Sequence, residues 1–454
     1  MRLAWFSPWP PQTSGVAGRS VEVTRALAAR GWGLDVFVDR AQVPSATRAA
    51  DGPPAPGEIR VQSAHDFVWR HHRHQHDLVV YQAGNSTAHA FIWPYLLRYP
   101  GLTILHDAHV HHARGAALIT PASAAAYRAA FAFDHPDLSP DLAELAVWGF
   151  DGAYSFLWPM IRSVILASRA VGVHTRGGAR ALQAACPDAH IDYIALGMGR
   201  EVPPATSDRA EARLALGLDA DAIVFGVFGG LTADKRVPVI LESFARLRRL
   251  DPRVHLLLAG APDPRLGLPD LIAALNLAPH VTLAPALDDD GFERAIASVD
   301  VSLNLRWPTA RETSGPWLQA LAAARATVVI DLEQHAHLPA LDPQTWTQRP
   351  GPGRNDPITV AIDVLDEAHS LDLAMTRLAG DAALRDRLGR AARTWWEREH
   401  TTTRMVDEYA HLIARVAQQP AGTPPSLPEA LSPDPLDYTR ELVRPFGDLT
   451  CTLF

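Results

Sequence analysis

Apolar positions along this chain come in short runs, most of them strand-like and followed by a segment of helical period. Arg2–Phe6 reads as a strand. A loop with Pro8, Pro10, Pro11 and Gly15 follows, and the spacing over Val16–Arg30 predicts an amphipathic helix. Leu34–Val38, Asp77–Gln82, Leu102–Leu105, Val171–His174 and Ile191–Ala195 predict further strands, with a helical stretch over Thr87–Arg98. The polar, proline-bearing Arg200–Ser207 reads as a linker, and the same order then restarts. Strands are predicted at Ala222–Phe228, Val254–Ala259, Val281–Leu283, Asp300–Leu303 and Thr327–Ile330. Helices are predicted at Arg236–Leu250, Asp289–Ser298, Gly315–Ala324, Ala382–Arg398 and Thr401–Ala417.

Alternating βα units imply parallel sheets covered by helices on both faces, an α/β chain. The restart predicts two Rossmann-like domains. The first covers 1–200 and carries a helical insertion at about 113–165 that fits no βα unit. The second covers 201–400, and 401–454 forms a C-terminal helix and a proline-rich tail. No element is assigned to Leu436–Phe454. Such sheets bind ligands outside the carboxyl ends of their strands, so the strand-end loops are where chemistry is expected.

Composition narrows the function. The chain has 454 residues, 47% hydrophobic and 20% charged, as in an ordinary globular protein. No run approaches the ~18 apolar residues of a membrane span, and Met1–Pro10 lacks the apolar core of a secretory signal. Cys186 and Cys451 make no disulfide framework, so a cytoplasmic location is expected. A net charge of -8 argues against binding nucleic acid through the global field. The charge is uneven: residues 1–200 hold 17 Arg against 15 Asp+Glu, and residues 201–454 hold 25 Lys+Arg against 35 Asp+Glu. Of the 42 basic residues only Lys235 is a lysine. Coding bias explains the scarcity of lysine but not the place of the one that remains, which makes Lys235 a candidate where a compact ammonium is required.

That lysine sits in Phe228-Gly-Gly-Leu-Thr-Ala-Asp-Lys235-Arg236, a strand ending in a glycine turn with a helix opening at the cations. Backbone amides at a helix start and a nearby cation make an anion site, although the same segment also fits a plain strand–turn–helix connection. A second candidate is Arg306-Trp-Pro-Thr-Ala-Arg-Glu312-Thr-Ser-Gly315-Pro. There Thr313 or Ser314 caps the helix from Gly315, and Glu312 is suited to accept sugar hydroxyls or to act as an ordinary cap. The loop Gln12-Thr-Ser-Gly15-Val-Ala-Gly18 is not G-x-G-x-x-G, which disfavours a dinucleotide oxidoreductase. His106, Asp107, His109, His111 and His112 follow a strand. His109 and His112 have helical spacing, but without cysteine or carboxylate partners a metal is not expected. The run His71–His76 reads as a solvated helix end.

Taken together these motifs resemble the large retaining glycosyltransferase family four. The resemblance covers nearly all of residues 1–417 and is carried by five blocks in order and spacing: Ser-Pro-Trp-Pro-Pro-Gln-Thr-Ser-Gly15, Tyr81-Gln-Ala-Gly-Asn, Leu105-His-Asp107, Gly230-Leu-Thr-Ala-Asp-Lys235-Arg and Leu305-Arg-Trp-Pro-Thr-Ala-Arg-Glu312-Thr-Ser-Gly315. It implies the GT-B architecture of two facing Rossmann-like domains, with C-terminal helices crossing back to the N-terminal domain. It further implies a metal-independent hexosyltransferase using a nucleotide-sugar donor, with no cofactor. Lys235, with Arg236 close by, would hold the donor diphosphate. Glu312 would receive sugar hydroxyls, Thr313, Ser314 and Gly315 would cradle phosphate, and Gly15 and Gly230 would approach the donor. His106 would lie near the transferred sugar.

Three positions depart from the family pattern. Ala320 stands where a second glutamate meets the ribose, Gly230 where an arginine is frequent, and His337 where a glutamate is frequent. They leave nucleotide identity open. Ala320 and Gly230 also favour the alternative, a non-catalytic glycosyltransferase-like subunit that binds a nucleotide or a partner. The acceptor and the oligomeric state are not legible, although the aromatic residues of 113–165 suggest a wall for the acceptor or a local core.

Overall fold

The structure is a computed structural model, and it describes the chain except for residues 13, 44–51, 120–123, 151, 204–205, 285–286, 351–355, 421–426, 429–430 and 432–454. The unassigned stretch 436–454 therefore lies outside the described residues. Two groups of residues pack internally. Unit 1 comprises Met1–Ile194, Ala310–Thr313 and the described residues from Val406 on; unit 2 comprises Ala195–Thr309 and Ser314–Met405.

Unit 1 is built on seven parallel strands: β1 (Arg2–Phe6), β2 (Gly33–Val38), β3 (Ile59–Ser63), β4 (Leu78–Ala83), β5 (Leu102–Leu105), β6 (Ala170–Val173) and β7 (Ile191–Tyr193). Their order is β3-β2-β1-β4-β5-β6-β7. Unit 2 repeats the plan with β8 (Ile223–Phe228), β9 (Val254–Ala259), β10 (Val281–Ala284), β11 (Val301–Asn304), β12 (Ala326–Ile330), β13 (Ala340–Leu341) and β14 (Thr359–Ile362), ordered β10-β9-β8-β11-β12-β14-β13. The central strands are continuous apolar runs because helices bury both of their faces, as in the fully buried β1, β8 and β12. In each sheet the chain reverses direction of travel beside the first strand, between β1 and β4 and between β8 and β11. That switch point leaves a crevice at the strand ends.

The core of unit 1 centres on Phe6, whose ring lies 4.9–5.2 Å from those of Phe37, Phe67, Tyr81 and Tyr95. In unit 2, Phe225, Val227, Leu241, Phe244, Leu256 and Leu258 are buried together between the sheet and the helix Val237–Leu250. Each such side chain contributes about 1.5–3 kcal/mol on burial. The insertion is helical as expected, with helices at His111–Leu118, Ala124–Asp134, Ala143–Val147, Tyr154–Leu157 and Arg162–Ala167. Tyr127 and Phe131 are core there, packed with Met160, whereas Trp148 and Phe150 are 72% and 56% exposed. The aromatic residues of this segment thus divide between a small core and the surface. A buried Arg114–Asp134 pair at 2.6 Å, joined by Ser163, ties the insertion together.

The C-terminal helix Thr402–Gln418 returns to unit 1. Tyr409 packs 6.0 Å from Trp5, Asp407 pairs with Arg30, Arg415 with Asp192, and Arg169 donates to the Val416 carbonyl at 2.8 Å.

Candidate active site

In unit 2 both candidate loops leave the switch point, one from β8 and one from β11. The first turns at Gly229, whose φ of +79° suits glycine alone among common residues. A Cβ there would lie 2.8 Å from Lys235 Nζ and 3.6 Å from Pro316 Cγ. One backbone position therefore touches both the ammonium and the start of the helix Gly315–Ala322. Lys235 ends a single 3₁₀ turn, Ala233–Lys235, is 8% exposed, and donates from Nζ to the Phe228 carbonyl. That bond folds the side chain back over the turn.

The second loop is fastened to the first. Trp307 N donates to Asp234 O at 2.7 Å, and Arg306 pairs with the Asp234 carboxylate at 3.2 Å. Ser314 caps the helix Gly315–Ala322 through its hydroxyl, which accepts from Trp317 N at 3.3 Å, and Pro316 takes a first-turn position where no amide is missed. Gly315 is required sterically, since a Cβ would meet Met198 Sδ at 2.5 Å. An ammonium beside a helix start, both at the carboxyl end of a parallel sheet, is an arrangement for anionic oxygen.

Arg236 behaves differently. It occupies the left-handed region at φ 57°, and its guanidinium makes a bidentate pair with Glu367 at 2.6–3.1 Å. Gly230 is exposed, with open space around its Cα. Ala320 is fully buried in an apolar cluster with Phe228, Ala259 and Ile296.

Unit 1 collects the remaining candidates. Gly15 opens the helix Gly15–Ala29, capped by Ser14, which accepts from Ala17 N at 3.0 Å; nothing lies within 4 Å of where a Cβ on Gly15 would stand. His106 follows β5, its amide bonded to Ala83 O at 2.9 Å and its ring 4.9 Å from that of His174. Asp107 accepts from Asn85 N at 2.7 Å. Glu312 and Thr313 belong to this unit because Ala310–Thr313 is stitched to it: His109 N donates to Ala310 O at 3.1 Å, and Thr313 Oγ1 donates to His174 O at 3.2 Å. His106, Glu312 and Thr313 are therefore in one unit, and Gly230, Lys235, Ser314 and Gly315 in the other.

Histidines dominate this end of unit 1, and burial keeps them neutral. His174, His89 and His109 are each pushed down to about 4 by desolvation. His106 falls well below the ordinary imidazole value, through burial first and then the neighbouring His174 and His89. The spacing of His109 and His112 does not bring them to one ligand set: His112 bonds Asn85 and Ser155, and His111 bonds Tyr127 and the Trp158 carbonyl. Among the described residues no group of three or more His, Cys, Asp or Glu side chains could hold a metal ion. His71 and His76 are not a solvated run either. They stack at 5.4 Å, and His76 bonds the buried Asp35 at 3.0 Å. Sequence reasoning missed Gln82 and Tyr409 behind His106; Gln82 lies in the Tyr81-Gln-Ala-Gly-Asn block but carries no role there, and Tyr409 is one residue of the predicted helix Thr401–Ala417 with no motif around it.

No protein-family profile matches the chain. It is 31% identical over 235 residues to a D-inositol 3-phosphate glycosyltransferase of Stackebrandtia nassauensis, covering 48% of each chain, and 28% identical over 183 residues to the protein so named from Mycolicibacterium gilvum, covering 37% of this chain and 40% of that one. The chain thus spans about half the length of the curated relatives it matches. Among solved structures it superposes on a sucrose-phosphate synthase from Thermosynechococcus elongatus with a TM-score of 0.62 at 16% identity, covering 92% of this chain and 99% of that one. On WaaG, a glycosyltransferase of lipopolysaccharide biosynthesis, the TM-score is 0.60 at 14% identity, covering 90% and 99%. The partial sequence relationship and the superpositions point the same way: the chain has the two-unit α/β fold of these glycosyltransferases and is related in sequence to two proteins named as such.

Proposed function

We propose that the protein transfers a hexose from a nucleoside diphosphate to an acceptor hydroxyl with retention of configuration. The acceptor oxygen bonds to the anomeric carbon on the face from which the diphosphate leaves. The C–O bond to the diphosphate breaks, and the acceptor proton passes to the departing phosphate oxygen. Negative charge grows on the diphosphate as this happens. Lys235 and the amides at the start of the helix Gly315–Ala322 are assigned to that charge, where fixed donors act without reorganising. Glu312 and His106 are assigned to the hydroxyls of the hexose. The observation that carries the proposal is that Lys235 Nζ and Pro316 Cγ both lie against Gly229, 2.8 and 3.6 Å from where its Cβ would stand.

Since the leaving-group charge is met by protein groups, no metal is required in this scheme. Chelator-treated protein should transfer hexose at the untreated rate, and a rate restored only by added Mg²⁺ or Mn²⁺ would refute that part. Uridine is the first nucleotide to test, because a structurally similar protein, Anabaena HepE, is described in complex with UDP and with UDP-glucose. A nucleotide-sugar donor fits the cytoplasm, and no described helix is long and apolar enough to cross a membrane. The experiment is a thermal-shift series with UDP, GDP and ADP and their sugars, followed by an assay of released nucleotide. A ligand at 100 times its Kd should stabilise the fold by about 2.7 kcal/mol.

A second reading is favoured by the burial of Ala320 among apolar side chains, which removes a carboxylate at that place. On that reading the chain is a binding subunit. Nucleotide stabilisation without donor turnover, with any acceptor supplied, would select it.

A further inference from the structure

Behind His106 runs a hydrogen-bonded chain that the diphosphate chemistry does not use. His106 Nε2 lies 2.8 Å from Gln82 Oε1, and the Tyr409 hydroxyl donates to the same oxygen at 3.3 Å. Gln82 is 1% exposed and Tyr409 2% exposed. Three separate elements supply the chain: Gln82 from the end of β4, His106 from the end of β5, and Tyr409 from the returning helix Thr402–Gln418.

The chemistry of an amide oxygen decides where the proton lies. It only accepts, so with Gln82 Oε1 turned to them the tyrosine and the imidazole both donate to it, and Gln82 Nε2 is left buried with no hydrogen-bond partner among the described residues. His106 then carries its hydrogen on Nε2, and Nδ1 keeps a bare lone pair. No described residue hydrogen-bonds Nδ1. A carboxylate in place of Gln82 would also orient the ring, but it would stabilise the imidazolium, as the aspartate of a Ser-His-Asp triad does. Glutamine orients without charge. The groups around the ring agree with a neutral state: burial pushes His174 and His89 down to about 4, so both are neutral at pH 7, Tyr409 is protonated, and the Asp107 carboxylate is engaged by the Asn85 amide. Arg311 and Glu312 are the charged side chains of the Ala310–Thr313 segment docked on His174 and His109.

We infer that Gln82 and Tyr409 are positioning residues that hold His106 in a single tautomer, protonated at Nε2, so that Nδ1 presents a fixed hydrogen-bond acceptor to a hydroxyl of the transferred hexose. The inference rests on the glycosyl-transfer reading for the identity of that hydroxyl, and on the hydrogen-bonded chain alone for the tautomer.

The test separates the two. In ¹⁵N-histidine-labelled full-length protein at pH 7, with His106→Ala to assign the signal, long-range ¹H–¹⁵N spectra should show a neutral ring protonated at Nε2. Tyr409→Phe and Gln82→Met should broaden or mix the tautomers and lower kcat roughly 10- to 100-fold, the range expected when a reacting group loses its orientation, with donor KM within about threefold. Gln82→Glu should raise the imidazole pKa and protonate Nδ1, so an acid limb in kcat should move upward in pH. A ring protonated at Nδ1 in the wild type overturns the inference. So does a Tyr409→Phe enzyme with unchanged nitrogen shifts and unchanged kcat, and this variant loses only one hydroxyl and guards against a folding failure at Gln82. If the spectra show the Nε2 tautomer but no nucleotide sugar is turned over, the glycosyl-transfer reading fails and the positioning chain stands.

Discussion

Units 1 and 2 share a plan and differ in what they place at its functional edge. Both have seven parallel strands with the switch beside the first strand, at β1/β4 and at β8/β11. At the carboxyl edge of unit 2 stand a glycine turn, the chain's one lysine and a capped helix start. At that of unit 1 stand neutral, buried imidazoles joined by amide and hydroxyl groups. Topology thus tells where each unit presents chemistry, and the side chains divide the labour. On the proposed function, unit 2 would meet the negative charge of the diphosphate and unit 1 the hydroxyls of the sugar.

Acid should separate the two units most sharply. In unit 1, His71, His89, His109, His111 and His174 are each pushed down to about 4, with burial the largest cause. An unfolded chain takes up these protons near pH 6.5 while the native unit refuses them until about pH 4. The stability these rings lend is present above pH 6.5 and is lost as pH falls towards 4. Each tenfold difference in a ring's proton affinity between the folded and unfolded chain is worth about 1.4 kcal/mol, and less at the partly exposed His71, where solvent screens the charge. In unit 2, His255 and His280 are lowered too, chiefly by burial. Hydrogen exchange at pH 5 should show protection lost first in β1–β7, with β8–β12 still protected. Equal loss in both sheets would break the contrast.

The next effect concerns charge in unit 2. Lys235→Ala should lower kcat about 100- to 1000-fold, or about 3–4 kcal/mol of barrier, with the melting temperature nearly kept. Near-normal turnover in that variant would remove the ammonium from the reaction. A smaller loss is expected at Gly229→Ala, since φ of +79° disfavours alanine and its methyl would stand 2.8 Å from Lys235 Nζ. About 1–2 kcal/mol of strain at such a position corresponds to roughly tenfold weaker UDP binding if the strain is released when the turn deforms. Calorimetry that finds an unchanged Kd would show that the turn tolerates a side chain and that its shape is not what holds phosphate.

Much of this contrast was legible in the sequence because strands buried on both faces are unmistakable. β1, β5 and β9 were placed with their ends, and the helix Asp289–Ser298 likewise. β3 was missed because Ile59–Ser63 is an edge strand with Arg60 and Gln62 on it, hidden behind a proline- and glycine-rich stretch. β13 has two residues, too few for any period, and β14 follows another glycine- and proline-rich run. The two sequence-adjacent candidate segments, Gly230–Lys235 and Glu312–Gly315, announced themselves as motifs. The Gln82–His106–Tyr409 chain did not, because its members lie 24 and 327 positions from Gln82 and meet only through the returning helix. The docking of Glu312 with unit 1 was equally hidden, since it depends on hydrogen bonds to His109 and His174 made by the backbone and by Thr313.

Arg236 marks the limit of motif reading, and the smallest effect is expected there. Beside Lys235 in the sequence, it reads as a second cation for the diphosphate. In the fold its left-handed backbone turns it onto Glu367, where two oxygens accept from the guanidinium and raise its pKa further. The Glu367 side chain is 11% exposed, so removing Arg236 leaves a carboxylate largely out of water without its partner. Arg236→Ala should therefore cost about 1–2 kcal/mol of stability. It should change UDP affinity by less than about threefold, a difference under 1 kcal/mol. The double variant Arg236→Ala, Glu367→Ala should recover part of the lost stability, because no carboxylate is then stranded. If instead the single variant binds UDP about tenfold more weakly while its melting temperature holds, the guanidinium leaves Glu367 for the phosphates when donor arrives. Unit 2 would then meet negative charge with two cations, and its contrast with the neutral edge of unit 1 would be sharper than the resting structure shows.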